Sequence, residues 1–231
     1  MTISARVIAD SLSPDNFRLT TLQLRYPRFA HPELMTHRMF SRSASSSRAI
    51  PVKRLIDDVI DDPVYPSHWG ANQPGMQADG ECDAPVMLRF DTDFRDVHAA
   101  SRDLAWDGAR EAAIRFARAF SDAGYHKQIV NRLLEPFAHI NVVVTATEWS
   151  NFFALRAHPD AQPEIRELAQ SMQDAMWEST PQTLQHGQWH LPYVSWEDAQ
   201  EVRRCLPDNA AHAQQILLEV STARCARVSY K

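Results

Sequence analysis

Residues 36–48, Thr-His-Arg-Met-Phe-Ser-Arg-Ser-Ala-Ser-Ser-Ser-Arg, place five serines, three arginines and one histidine within thirteen positions. Hydroxyl donors and guanidinium forks at this density suit the holding of an anionic, many-oxygened ligand. On composition alone the run also fits a solvated Ser/Arg loop, which is what most such runs are. Other routes to an anion are few. With six glycines the chain contains neither G-x-G-x-x-G nor G-x-x-x-x-G-K-[ST], so phosphate would have to be met by arginines and helix N-termini.

Nucleophilic and metal chemistry find less support. Cys82 lies between Glu81 and Asp83, a setting that disfavours an activated thiol, and Cys205 and Cys225 fall in helical patterns that read as packing. Three cysteines without a C-x-x-C suit a reducing cytoplasm. The ten histidines show no H-E-x-x-H or similar spacing, so no metal is expected.

The elements that must position these residues follow from patterning. Residues 18–25 alternate apolar and polar side chains as a strand does, and Tyr26-Pro27 ends it. A short helix is expected over 31–38 with Pro32 in its first turn, and another over 51–60. Residues 63–85 hold half of the glycines and read as loop, with Trp69, Asn72, Gln73 and Met76 among them. The longest helical pattern runs from Asp93 to Asp122, with Val97, Leu104, Ala105, Ala109, Ala112, Phe116 and Phe120 on one face and Gly124 as its stop. Further helices are expected over 125–134, 148–156, 160–178 and from Asn209 onward, and a buried strand over 139–147. Ser195 to Asp198 resembles a capping box. The segment 179–194 reads as loop rich in His186, Trp189, His190 and Tyr193.

There is no repeat and no linker, so 231 residues with 44% hydrophobic content read as one helix-rich α+β domain over 1–231, with a small, mostly antiparallel sheet. Net charge is −5 and the pI about 6.0, so nucleic acid is not an expected partner. No apolar run approaches the roughly 20 residues of a membrane span, and the first ten residues lack a signal-peptide core.

The stretch resembles the signature of flavin-dependent thymidylate synthases, R-H-R-x-x-S-x-N-x-x-S-x-R. His37, Arg38, Ser41, Ser46 and Arg48 match in register, with Thr36 in place of Arg and Ser43 in place of Asn. Two later blocks agree in order. Glu148-Trp-Ser-Asn151-Phe-Phe-Ala-Leu155-Arg156, with Ala161-Gln162-Pro-Glu164-Ile165-Arg166, is similar to N-F-L-x-L-R…A-Q-x-E-I-R. His126 to Pro136, containing Arg132, is similar to the A-R-x-x-L-P helix. The run through Ser47-Arg48-Ala49-Ile50-Pro51 is nearest to a divergent branch of the family.

The resemblance implies an α+β homotetramer with active sites at subunit interfaces, FAD as cofactor, and NADPH and methylenetetrahydrofolate as co-substrates. It implies methylation of a uridylate at C5 without a protein nucleophile. Residue by residue, it implies that His37 and Arg38 face the flavin, with Ser41 and Asn151 also at the cofactor. Ser46 and Arg48 would hold the nucleotide phosphate and sugar, and Arg132 a second phosphate contact. Ser47 belongs to the same substrate group, although it and Ser45 also read as turn or solvent residues. Arg156 would meet the uracil carbonyl edge and stabilise charge developing there, so Arg156, His37 and Arg38 form the expected catalytic set. Arg132 and Arg156 flank apolar helices and also fit ordinary amphipathic positions, although the block shared with Asn151 favours function, for Arg156 more than for Arg132; without the signature His37 equally fits a helix C-terminal cap.

Thr36, Ser43 and Ala44 depart from the family pattern and bear on the sugar. The expected substrate is dUMP; the alternative is UMP, which some relatives methylate in nucleoside-antibiotic pathways. A non-catalytic nucleotide-binding relative and an enzyme transferring another one-carbon unit are further alternatives. Phe94 to His98 and the aromatic segment 179–201, with Trp189, Tyr193 and Trp196, are candidate folate loops whose aromatics equally fit ordinary packing.

Overall fold

A computed structural model describes residues 2–75, 78–89 and 97–230. Its centre is a sheet of five strands in the order β3-β6-β2-β1-β7, formed by β1 (Ser4–Leu12), β2 (Arg18–Pro27), β3 (Ser41–Ala44), β6 (His139–Ala146) and β7 (Gln182–Thr183). All pairings are antiparallel except β1 with β7, and β1 carries an irregularity between Val7 and Ala9. A two-stranded antiparallel sheet, β4 (Val86–Arg89) with β5 (Val97–Ala100), stands apart. The architecture is the expected α+β one.

Alternation along β2 and β6 sends Leu22, Leu24, Tyr26, Ile140, Val142 and Val144 to one face, where they pack on Phe152 of α5 (Ser150–Arg156) and on Ile165, Leu168 and Met172 of α6 (Pro163–Glu178). A second cluster joins Leu55, Ile56 and Val59 of α2 (Val52–Asp61) to Ile114 and Ala117 of α3 (Arg102–Asp122) and to Val130, Leu134 and Phe137. These last three lie in α4 (Lys127–Val130) and the 3-10 segment Asn131–Phe137. Short α1 (His31–Met35) precedes β3; α7 (Trp196–Cys205) and α8 (Ala210–Ala226) close the chain.

Several expectations need correction. Helix α3 begins at Arg102, and the expected start at Asp93 lies outside the described residues. Ser101 caps it, accepting from the Leu104 amide, and Val97–Ala100 before it is strand. Its buried face is turned from the expected one: Ile114 and Ala117 are inside, whereas Leu104 and Phe116 are 63% and 62% exposed. The helix expected over 125–134 is a single α turn that continues as 3-10, because Pro136 cannot donate to an α-helical ladder. The Ser/Arg stretch contains a strand, since residues 41–44 complete the edge beside β6. The Ser195–Asp198 capping box is present in full.

His139 has a consequence for stability. Its imidazole is buried, neither ring nitrogen has a hydrogen-bond partner, and the Asp62 carboxylate is 3.7 Å from Nδ1. Burial first, then Arg25, pushes its pKa down to about 4, against the opposing pull of Asp62 and Asp58. The unfolded chain therefore binds a proton below about pH 6.5 that the folded chain refuses. Stability should be level above pH 6.5 and fall by roughly 3 kcal/mol as pH drops to 4, from this residue alone. Urea unfolding at pH 7.5, 5.5 and 4.5 checks it, and His139→Gln should flatten the slope.

Candidate active site

Two of the matched blocks meet at the end of α1. The helix stops at Thr36, whose hydroxyl donates to the Glu33 carbonyl at 2.7 Å. Arg42 turns back from β3 and donates to the His37 carbonyl at 2.6 Å, with longer contacts to the Leu34 and Met35 carbonyls. A guanidinium thus serves the carbonyls of the last helical turn and fixes the path of residues 36–38. This segment sets His37 against the core, edge-on to Phe152 with ring centroids 4.8 Å apart and stacked near Phe40 at 5.9 Å.

Arg156, the last residue of α5, reaches this turn. Its Nε donates to His37 Nε2 at 3.0 Å, one terminal nitrogen donates to Thr36 Oγ1 at 3.2 Å, and the other pairs with Glu33 at 2.6 Å. Accepting at Nε2 requires a neutral imidazole with its proton on Nδ1. Burial, then the adjacent Arg156 charge, lowers the His37 pKa and keeps it neutral, with Glu33 opposing. The His37 cap reading is thereby replaced: Arg42 holds the helix end, and His37 faces Arg156.

Around this network lies an open cleft of about 210 Å³, whose lining includes Thr36, His37, Arg38, Glu148, Asn151 and Arg156. Arg38 and Asn151 are exposed, and Arg38 has no ionic partner among the described residues. The guanidinium of Arg156 keeps further N–H groups beyond its protein contacts. The cleft therefore presents cationic donors, an amide, a neutral imidazole and aromatic edges, a donor set that fits the polar edge of a flavin ring or of a pyrimidine.

The other half of the signature lies elsewhere. Four extended residues of β3 separate the two halves by roughly 10–13 Å. Beyond them Ser45 and Ser47 are 4% and 3% exposed, which corrects the solvent reading. The Ser45 hydroxyl accepts from the Asn141 amide, and the Ser47 hydroxyl donates to Glu135 at 2.6 Å. Glu135 also binds Arg132 at 3.0 Å and Arg28 at 3.3 Å. Asn131 holds the Ser47 and Ile50 carbonyls, and Lys127 the Ala49 carbonyl. Arg48 is exposed with no ionic partner among the described residues, and Ser41 is exposed at the start of β3. The chain thus brings together His37, Arg38, Asn151 and Arg156 at one end of β3, and Ser46, Ser47, Arg48 and Arg132 at the other.

Sequence reasoning missed Glu33, Arg42 and Glu135, each of which orients a residue of one of the matched blocks. The aromatic segment lies on the far face of the sheet from the cleft. His190 bonds Ser11 and Thr21, and Tyr193 bonds Gln23, side chains that alternate with the core-facing Leu22 and Leu24. Within one chain Trp189, Tyr193 and Trp196 are therefore not brought to the cleft, and Phe94 to Asp96 lie outside the described residues.

The family profile described as thymidylate synthase complementing protein matches residues 10–182. The chain belongs to that family. The resemblance carried by the signature is thereby borne out, and both halves of the signature, Arg132 and the Asn151–Arg156 block lie inside the match. Among solved structures, a UMP/dUMP methylase, PolB from Streptomyces cacaoi bound with 5-Br dUMP, is similar at TM-score 0.53 and 18% identity, over 76% of this chain and 90% of that one. The flavin-dependent thymidylate synthase ThyX from Helicobacter pylori, complexed with FAD and dUMP, gives TM-score 0.46 and 15% identity over 68% and 67%. No match was found among curated proteins. Among the described residues of this family member, no helix is long and apolar enough to cross a membrane.

Proposed function

We propose that this protein, acting as one domain over 1–231, methylates a uridylate at C5, with dUMP as substrate, methylenetetrahydrofolate as one-carbon donor and NADPH as the source of electrons. The observation that carries the reading is the 3.0 Å bond from Arg156 to His37, which joins two family-matched blocks at the wall of one cleft. The donor set there fits FAD, held by His37, Arg38, Ser41 and Asn151; when bound, the reduced flavin supplies the hydride. Arg156 would donate to the uracil carbonyl edge and stabilise the negative charge that develops there on addition to the ring, which is what makes C5 a nucleophile toward the one-carbon unit; it is already oriented by Glu33, Thr36 and His37, so little reorganisation is needed. Neutral His37 adds no positive charge of its own beside Arg156.

Ser46, Arg48 and Arg132 bind the phosphate, and Ser47 positions the loop by donating to Glu135. The separation of this cluster from the cleft supports a site completed between subunits of a homotetramer. Met39, 79% exposed at the cleft wall, fits a surface that a partner subunit covers. A compartment that keeps thiols reduced, the cytoplasm, suits a chain with no disulfide between its cysteines.

A second reading, preference for UMP, rests on Thr36. Its hydroxyl occupies the place of a family arginine and is engaged by Arg156, which alters the charge near the ligand. The name of the Streptomyces cacaoi methylase includes both nucleotides. Tritium release from C5-labelled dUMP and UMP, run in parallel with FAD, NADPH and methylenetetrahydrofolate, tests both. Faster release from dUMP is expected, and faster release from UMP selects the second reading.

A further inference from the structure

Residues 183–231 lie beyond the family match, yet their end reaches the signature. The segment crosses the outer face of the sheet through His190 and Tyr193. It turns through α7 and comes back as α8, which is tied to α7 by the Arg224–Asp198 ion pair and to the crossing segment by Ser221, donating to the Pro192 carbonyl at 2.8 Å. Beyond α8 the 3-10 turn Val228–Tyr230 lies against β6 and β3. Val228 is 2% exposed, and the Ser229 hydroxyl accepts from the Ser46 amide at 2.9 Å.

We infer that Ser229 is a positioning residue for the nucleotide-binding loop, and that the C-terminal segment is a resident brace which holds Ser46 and, through it, Arg48 in the geometry that receives phosphate. The inference rests on the proposed function for its ligand. Its structural part is independent of it.

The other contacts of the loop explain why a brace is needed. Ser45 is tied to Asn141, Ser47 to Glu135 and Asn131, and Ala49 to Lys127. Ser46 sits between these anchors, and its amide points away from the sheet ladder, since β3 ends at Ala44. Without Ser229 that donor has no protein partner among the described residues, and the peptide it belongs to can rotate. The Ser46 carbonyl accepts from the Ala49 amide at 2.9 Å and so closes the turn that carries the exposed Arg48, and a shift at Ser46 is passed to Arg48 through that turn. The deep burial of Val228, in contact with the same small cavity that Ser45, Ile50 and Asn141 line, marks the turn as built in and not as a strap that lifts to admit ligand.

The test uses the full chain with Ser229→Ala and Ser229→Thr. Removing one half-buried hydroxyl leaves Val228 and α8 in place, so both variants should fold. Hydrogen exchange at the Ser46 amide and uridylate affinity are measured for each, with kcat at saturating nucleotide. Ser229→Ala is expected to speed Ser46 exchange and weaken nucleotide binding by about 5- to 10-fold each, the loss of one hydrogen bond, with kcat unchanged. Ser229→Thr, which keeps the hydroxyl, should restore both. Unchanged Ser46 exchange in a protein that binds uridylate overturns the brace alone. Faster exchange with equal or tighter binding also overturns it. Exchange that responds to Ser229 in a protein that binds no uridylate overturns the nucleotide reading and, with it, the role of the brace in binding.

Discussion

Arg156→Ala should lower the rate of the C5 step by about 10²- to 10³-fold while nucleotide still binds, the loss expected when a donor aimed at developing charge is removed. Each side of the guanidinium is held: Nε by His37 Nε2, one terminal nitrogen by Thr36 Oγ1, the other by Glu33. That arrangement fixes the plane of the fork before substrate arrives. Lysine cannot reproduce it, because a single ammonium cannot reach those separate acceptors at once, so Arg156→Lys should be nearly as slow. The measurement is single-turnover conversion with pre-reduced flavin, alongside uridylate affinity. Glu33→Gln, which keeps the hydrogen bond and removes the charge, should be milder than either. Equal turnover by wild type and Arg156→Ala would remove Arg156 from the chemistry and return it to the amphipathic position its helix also suits.

Arg48→Ala is expected to weaken nucleotide binding by about 10- to 100-fold, the worth of a charge-assisted hydrogen bond to phosphate, with kcat at saturation kept within a few-fold. Arg48 is the better anchor than Arg132, because it has no ionic partner among the described residues, whereas Arg132 shares Glu135 with Arg28 and Ser47. Arg132→Ala should therefore cost less. The affinity of the wild type should fall with added salt, and that of Arg48→Ala should fall less steeply, as one charge pair is missing. Titration of each protein with uridylate at two ionic strengths reads both effects. A larger loss from Arg132→Ala than from Arg48→Ala would reverse the assignment.

Much of the fold was legible because its signals are local. The alternation at Leu22 and Leu24 marked β2, the β-branched run at 139–147 marked β6, and Gly124, with φ of +85°, marked the end of α3. What stayed hidden depended on contacts distant in sequence. Serine-rich β3 has no strand propensity of its own and is extended because β6 offers it an edge. Strand β1 is interrupted by its irregularity at Val7–Ala9, which spoils the period-two pattern.

The candidate site divides in the same way. His37, Arg38, Ser46, Arg48, Asn151 and Arg156 are candidates that the matched blocks supply, by type and order. That His37 and Arg156 share a hydrogen bond followed only from the fold. So did the separation of Ser46 and Arg48 from them, which requires residues 41–44 to be extended. Glu33 had no signal: an acid in a short helix gives no indication that its partner lies at the end of a distant one. Ser45 and Ser47 read as solvent residues because serine usually is, and burial became clear only once Asn141 and Glu135 were found opposite them.

The most direct measurement is tritium release from C5-labelled dUMP by the wild-type protein, with FAD, NADPH and methylenetetrahydrofolate all present and each omitted in turn. Release that requires all of them, and that Arg156→Ala suppresses, is the predicted result. Nucleotide bound by a folded, flavin-supplied protein without any release from dUMP or UMP would contradict the account and identify a binding protein built on the same fold.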